Sequence, residues 1–285
     1  MAQETALTDY QMWHQPANSE IMRRIESFNA GTMWLIGIIT LFVLALLIYV
    51  CVRFSAKNNP VPSKTSHNSL IEVIWTLGPV VILVGLAIPS FQLLTAQYSP
   101  PEEPALTVKA TGYQWYWGYE YQDGSEISFD SVLIGRDDGT EASKAEAKAE
   151  REEYGKTDLA KYPRLLAVDN ELVVPVGKVI RVLVTGADVI HNFAMPAFGL
   201  KTDAVPGRIN EAWFLAEREG LFYGQCSELC GKDHAFMPLG IRVVSQEQFD
   251  AWKTAAVDDL DVANKALMAS VEERNKKLRL AAAQK

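Results

Sequence analysis

The hydrophobic rhythm of the chain changes twice. Residues 31–52 read GTMWLIGIITLFVLALLIYVCV, 22 positions without a charge. At ~1.5 Å rise per residue, a helix of that length spans roughly 33 Å, about the thickness of a bilayer's hydrocarbon core. A second uncharged run lies between Glu72 and Glu102 and is most apolar over residues 75–98. Pro79 and Pro89 fall inside it, which a membrane helix tolerates better than a short soluble one. Trp34 and Tyr49 bracket the first run, and Trp75 and Tyr98 the second, as aromatics at a membrane–water interface do. A secretory signal has an apolar stretch of only ~7–15 residues nearer the start, so that explanation fails. The pattern predicts a two-helix transmembrane hairpin over residues 31–98, preceded by an N-terminal extramembrane segment, 1–30. In that segment Ile21, Ile25 and Phe28 recur at helical spacing behind Asn18 and Ser19, which predicts a short helix running into the membrane.

From Leu106 the long apolar runs give way to short β-branched and aromatic segments punctuated by Gly, Pro or Asp. These are LTVKATG, QWYWGYEY, ELVVPVG, VIRVLVTG, INEAWFLA, LFYGQC and LGIRVVS. Six or more such strands in about 140 residues indicate a β-sandwich or a Greek-key barrel. The expected class is therefore membrane-anchored all-β, with the strands in a domain over residues 99–245. Residues 137–161 break the pattern. They are dense in Glu, Lys and Ala, lack a hydrophobic face, and read as a solvated helical or mobile insertion. A helical tail is expected over 246–285, with QEQFDAWKTA as one helix and Asp258 to Ala283 as a more charged one.

Charge refines this picture. Residues 1–98 carry five basic and five acidic side chains, so the whole net charge of −8 comes from the rest. An acidic outer part argues against a nucleic-acid binder, and three cysteines exclude a disulfide framework. Arg53, Lys57 and Lys64 lie between the two spans with no acid before Glu72, so the loop is expected on the cytoplasmic side and the strand domain outside. An outward N-terminus normally needs a cleaved leader, and residues 1–20 hold no such apolar stretch: either a leader has been removed from this numbering, the favoured reading, or the orientation is the reverse.

Four histidines and three cysteines make their positions informative. His14 and His67 lie in flanking segments without partners, and Cys51 falls inside the first span; all three read as surface or packing residues. The others converge: Cys226, Cys230, His234 and Met237 fall in GQCSELCGKDHAFMP, with His191 upstream in DVIHNFAMP. Two thiolates, two imidazoles and a thioether suit copper or zinc. A structural zinc site takes four ligands and no Met, and a mononuclear blue-copper site takes one Cys. The second Cys exceeds one copper. Two thiolates can bridge two copper ions, each also bound by one His, with weak outer ligands. The competing reading, a Cys226–Cys230 disulfide, leaves His191, His234 and Met237 unexplained.

CSELCGKDHAFMP, with HNFAMPAFGLKTDAVPGR and GYQWYWGYEY upstream, resembles subunit II of the haem–copper cytochrome c oxidases. IEVIWTLGP at the start of the second span is similar to that family too. The resemblance covers most of the chain, with the insertion and the charged tail matching poorly. It implies a cupredoxin-like Greek-key sandwich with a binuclear copper (CuA) centre bound by His191, Cys226, Cys230, His234, Met237 and the backbone carbonyl of Glu228. It also implies a magnesium ion shared with subunit I through Glu228, and an electron-entry role for Trp115. The same resemblance makes Glu72 the entrance of a proton pathway. The implied activity is acceptance of electrons from cytochrome c and their transfer to haem in subunit I, where oxygen is reduced to water with proton pumping. Subunit III is a further expected partner. The implied location is the bacterial inner membrane with the copper domain in the periplasm, or the mitochondrial equivalent.

Cytochromes c are basic, so Glu120, Asp123, Glu126, Asp130 and Asp188 are candidates for a docking face. Two rivals differ in class. A membrane-anchored copper-insertion chaperone of thioredoxin fold would need alternating helices and strands and would not use His234 with Met237. A quinol-oxidase scaffold would lack the Cys/His set.

Overall fold

The computed structural model describes residues 11–283, so the first ten residues of the expected N-terminal segment and the last two of the tail lie outside the described residues. The chain divides into two compact units. One comprises residues 24–96; the other joins the segment up to Arg23 to the chain from Gln97 onward.

The first unit is built from α1 (Glu20–Arg53) and α2 (Ser69–Tyr98). The short helix expected before the membrane and the first span are a single 34-residue helix. No proline separates Phe28 from Gly31, and one glycine costs a helix only about 1 kcal/mol. In the most apolar stretch of each helix no residue is buried by the rest of the chain. Leu41, Phe42, Val81 and Leu83 are each more than 60% exposed. Apolar side chains on every face are what lipid, not water, solvates. Asn68 starts α2: its Oδ1 accepts from the N–H groups of Leu70 and Ile71, and the Glu72 carboxylate accepts from the Asn68 N–H.

The second unit is a sandwich. In chain order its strands are β1 (Leu106–Tyr113), β2 (Tyr116–Tyr121), β3 (Ser128–Ser131), β4 (Leu172–Pro175), β5 (Val179–Gly186), β6 (His191–Met195), β7 (Leu200–Ala204), β8 (Asn210–Leu215), β9 (Gly220–Cys226) and β10 (Pro238–Val244). One sheet runs β3-β2-β1-β5-β8 and the other β4-β10-β9-β6-β7. β1 lies parallel to β5 and β4 parallel to β10; the remaining neighbours are antiparallel. Alternation along β2 and β5 sends Trp117, Tyr119, Val182 and Val184 inward, where they meet Phe193, Met195 and Phe198 of the facing layer. All seven expected strand segments are found. β3, β6 and β7 were not anticipated, because SFDS and LKTDA carry too many polar residues and the fully buried HNFAM shows no alternation.

The segment before α1 belongs to this unit. Asn18 and Ser19 are buried; the Asn18 N–H donates to the Ala197 carbonyl (2.8 Å) and the Ser19 hydroxyl to the Phe198 carbonyl (2.8 Å). Ser19 also caps α1 by accepting from the Met22 N–H, and Arg23 pairs with Glu217.

The insertion forms α3 (Glu141–Glu153), capped by Thr140, and it is docked rather than loose. Ala147 is buried and Tyr154 packs on a small apolar cluster with Tyr162 and Tyr223, and a buried charged anchor joins them. Lys156 is 2% exposed; its Nζ donates to the carbonyls of Val168 and Asp169 and sits 2.7 Å from Glu171 Oε1. Arg242 Nε reaches the other oxygen of Glu171 at 3.2 Å. Burial opposes the Glu171 charge, but Arg242 and Lys156 overcome it and hold the carboxyl down at about 2. The tail packs back as α4 (Gln246–Ala256), with a Ser245/Gln248 capping box, and α5 (Leu260–Ala283). Phe249, Trp252, Ala263 and Leu267 cover the core.

Candidate metal centre

β6 begins at His191, β9 ends at Cys226, and β10 begins one residue after Met237. Because β9 is antiparallel to both β6 and β10, those three ends meet at one edge of the second sheet. The loop after β9 closes on itself and carries Cys230, then a turn of 3₁₀ helix, His234–Phe236. Cys226 and Cys230 are free thiols with sulfurs 3.8 Å apart, far beyond the ~2.05 Å of a disulfide. His191 Nδ1 lies 4.0 Å from the Cys226 sulfur, and His234 Nδ1 lies 3.5 Å from that of Cys230. Met237 Sδ is 3.4 Å from Cys230, and the Glu228 carbonyl is 3.3 Å from Cys226. The structure thus brings together all six expected donors, with the sulfurs in the middle and one imidazole beside each. His191, Cys226 and Cys230 are buried and their ligating atoms lie within 4.8 Å of one another, close enough to share one ion.

Charge in the cluster is unevenly shared. Burial disfavours the Cys226 thiolate, yet the hydrogen bonds from His191 and the polar loop pull its pKa below the ordinary thiol value. Burial and the neighbouring Cys226 charge push Cys230 up. For His191, burial is outweighed by its contacts with Cys226 and Asp188, which raise its pKa.

The backbone around the site has little room to spare. A Cβ on Gly112 of β1 would stand 2.9 Å from the His191 ring, and one on Gly224 of β9 would stand 2.0 Å from the Ala194 carbonyl oxygen. Trp117 meets both His191 and Phe193 edge-on.

Trp115, expected on a strand, sits instead in the two-residue turn between β1 and β2. Tyr113 pairs with Tyr116 and the two rings stack at 4.7 Å, which closes the turn below it. Trp115 is half-buried against Gly231, directly after Cys230, and Gln114 Nε2 donates to the Cys230 carbonyl at 2.7 Å.

Asp188 has a specific contact set. Its carboxylate accepts from the N–H groups of Gln114 (2.7 Å) and Val189 (2.6 Å) and lies 2.8 Å from His191 Nε2. Burial works against its charge, but these partners hold its pKa below the usual carboxylate value. An ionised carboxylate only accepts, so His191 Nε2 carries the proton and Nδ1 is left facing the sulfurs. Asp130 is exposed beside Tyr116 and Gly118, near the same turn.

The other three candidate acids lie at the far end of β2. Glu120 pairs with Lys109 (2.9 Å), Asp123 with Lys253 (2.6 Å), and Glu126 is exposed in the β2–β3 turn. Glu72 is on α2, in the other unit. Three residues at the site were not anticipated from sequence: Gln114, and the pair Arg136 and Asp233, joined at 3.0 Å across the outside of the His234 turn. Only the twin aromatics and cysteines near them gave a hint, and none in the pairing itself.

The family model described as "Cytochrome C oxidase subunit II, periplasmic domain" matches residues 106–244, the whole sandwich. The one described as "Cytochrome C oxidase subunit II, transmembrane domain" matches residues 7–93. A probable cytochrome c oxidase subunit 2 of Rickettsia bellii is 48% identical over 243 residues, covering 85% of this chain and 83% of that one. The cytochrome c oxidase subunit 2 of Cereibacter sphaeroides is 48% identical over 241 residues, covering 84% and 78%. Among solved structures, the periplasmic domain of subunit II of cytochrome oxidase of Bradyrhizobium japonicum is 54% identical, covers 54% of this chain and 95% of its own, and superposes with a TM-score of 0.45. With both halves matched in order and near half-identity sustained across most of two bacterial relatives, the chain belongs to the cytochrome c oxidase subunit II family.

Proposed function

We propose that this membrane-anchored subunit is the electron-entry point of its oxidase. It accepts electrons one at a time from cytochrome c and passes them to haem in subunit I for the reduction of oxygen to water, coupled to proton pumping. The observation that carries this reading is the free thiol pair with an imidazole beside each sulfur. The donor chemistry fits two copper ions: two soft anions at the centre, one borderline nitrogen on each side, and a thioether and a carbonyl as weak outer donors. A bound pair of that kind supplies a one-electron store shared between two metals.

The residues of the chain do the rest. His191, Cys226, Cys230, His234, Met237 and the Glu228 carbonyl hold the group. Asp188 fixes the His191 tautomer, as the outer partners of metal-bound histidines do. Burial of His191, both cysteines and Met237 keeps water from the donors. Trp115, half-exposed against the Cys230–Gly231 backbone, is the contact offered to the donor protein. Asp130 and Asp188, beside that turn, are the acids best situated to steer a basic partner; Glu120 and Asp123 are already paired with lysines. The Glu228 side chain is exposed and is the residue that would reach a magnesium ion at subunit I. The sandwich faces the periplasm or its mitochondrial equivalent, a reading supported by the three basic residues between the spans.

Copper analysis with an electron-spin spectrum of the purified oxidase tests this reading. Two coppers per chain sharing one unpaired electron are expected; a Cys226–Cys230 disulfide without metal overturns it. Glu72 supports two roles. As a proton entrance, its replacement in Glu72→Ala slows turnover with the copper spectrum intact. As the cap of α2, seen in its bond from the Asn68 N–H, its loss lowers stability and leaves the rate unchanged.

A further inference from the structure

We propose that Arg136 is a positioning residue for the metal loop: a clamp, supplied from the base of the 137–161 insertion, that holds the His234–Met237 turn against the thiol pair. The inference rests on the two-copper reading above and assigns a task to the polar insertion.

The loop needs such a support. Its 3₁₀ turn, His234–Phe236, begins at Asp233, a residue type that ordinarily caps a helix start by accepting from its N–H groups. Here the Asp233 side chain makes no such bond. It points to Arg136, whose Nη2 donates to Oδ1 at 3.0 Å. The Cζ of the same guanidinium lies over the Phe236 ring, 3.8 Å from its centroid. Arg136 therefore grips the turn at the residue before His234 and at the residue before Met237, one contact on each side.

The clamp has a rigid base. Gly135, immediately before it, has φ +68°, a conformation that favours glycine, and a Cβ there would stand 2.0 Å from Arg151 Nε. The Gly135 N–H donates to Glu150 of α3 at 2.7 Å, and the Ile134 N–H donates to the Ala167 carbonyl at 2.9 Å. Arg151 in turn donates to the Tyr162 carbonyl at 2.9 Å. Asp137, on the other side of Arg136, is held by Arg164 at 3.0 Å. The helix of the insertion thus fixes the backbone from which Arg136 reaches out, and the buried Lys156 fixes the insertion. The docking of this helix, which buries Ala147 and Arg151, acquires a purpose: it sets the position of two candidate metal donors from outside the sandwich.

The test uses the full-length copper-loaded protein in detergent, with three measurements on wild type, Arg136→Ala and Arg136→Lys: the rate of copper loss to a chelator, the copper electron-spin spectrum, and the thermal midpoint of the metal-free protein. Arg136→Ala is expected to lose copper about three- to ten-fold faster, the scale of one exposed cation–π contact plus one partly exposed ion pair. Its copper spectrum should shift while the metal-free midpoint stays put. Arg136→Lys keeps a positive charge for Asp233 but loses the guanidinium over Phe236, so it should fall between the two. Unchanged copper loss and spectrum in Arg136→Ala overturn the inference, as does a lowered metal-free midpoint with an unchanged spectrum, which marks an ordinary stabilising contact. Wild-type protein that takes up no copper pair overturns the parent reading instead, and does so before any variant is compared.

Discussion

The sandwich contains two buried polar clusters, and they are built on opposite logic. Around Glu171 every charge meets an opposite charge or a carbonyl: Lys156 and Arg242 flank one carboxylate, and the spare Lys156 protons go to two backbone oxygens. Around Cys226 and Cys230 two acids crowd together. Ionising one raises the pKa of the other; the nearest neighbours, the Glu228 carbonyl at 3.3 Å and the Met237 sulfur at 3.4 Å, bring no positive charge, and the imidazoles stand at 3.5 and 4.0 Å. The first cluster satisfies itself and serves the fold. The second is poorly satisfied without a further positive charge and is closed off from water, which is how a chain prepares a metal site at some cost to its own stability.

The widest separation between the two clusters should appear on removing a charge. Glu171→Ala leaves Lys156 and Arg242 buried without their anion, and breaking one side of a buried pair costs about 3–5 kcal/mol. Chemical denaturation should show that loss, with copper binding retained in the folded fraction. Acid should reproduce it. In the folded chain Glu171 titrates at about 2, below the ordinary glutamate value of 4.5, so its stabilisation is fully present above pH 4.5 and is lost as pH falls toward 2. A variant as stable as wild type at pH 7, or a wild-type protein indifferent to pH between 5 and 2, would show that the triad is not what holds the insertion down.

The metal-side counterpart is smaller in stability and larger in chemistry. Asp188→Asn preserves shape but replaces the anion that holds the His191 Nε2–H. Losing an outer partner of a metal-bound histidine costs about ten- to a hundred-fold in metal affinity. Copper titration of the metal-free protein should show that loss, while the denaturation midpoint of the metal-free form moves little. Equal copper affinity would leave Asp188 as a surface acid only.

This contrast also marks what the sequence could disclose. Five of the six candidate donors were legible in residue types and spacing: CSELC, the H and M that follow, and one upstream His; the Glu228 carbonyl came only with the resemblance to the family. The two spans and most strands were legible through periodicity. Trp115 reads as part of a strand, since QWYWGYEY alternates as a strand would; only the Tyr113–Tyr116 pairing reveals a turn. The insertion looked unanchored because much of its anchor is a lysine, and a Lys reads as solvated until the carboxylate and carbonyls around it are known. Asp188 and Arg136 act on partners 3 to 100 positions away, so their roles exist only in the folded chain.

The finest distinction lies among the acids themselves. If acidity alone recruits a basic donor, Glu120 and Asp130 should count equally, since both are on the outer sheet. They differ in two respects. Glu120 is neutralised by Lys109 at 2.9 Å and stands four residues along β2 from Tyr116, roughly 13 Å at ~3.3 Å per residue. Asp130 has no lysine on it among the described ion pairs and lies beside Tyr116, next to the Trp115 turn. At physiological ionic strength charges separated by more than ~8 Å are largely screened, so the closer, uncompensated carboxylate should dominate. Asp130→Asn should slow turnover with a basic cytochrome c about two- to five-fold at low salt and flatten its decline as salt is added. Glu120→Gln should change neither beyond error, and its stability cost should stay under about 1 kcal/mol, the worth of an exposed pair. Equal effects from the two substitutions would mean that the donor reads the diffuse field of the whole acidic domain, and that proximity to the Trp115 turn does not organise the encounter.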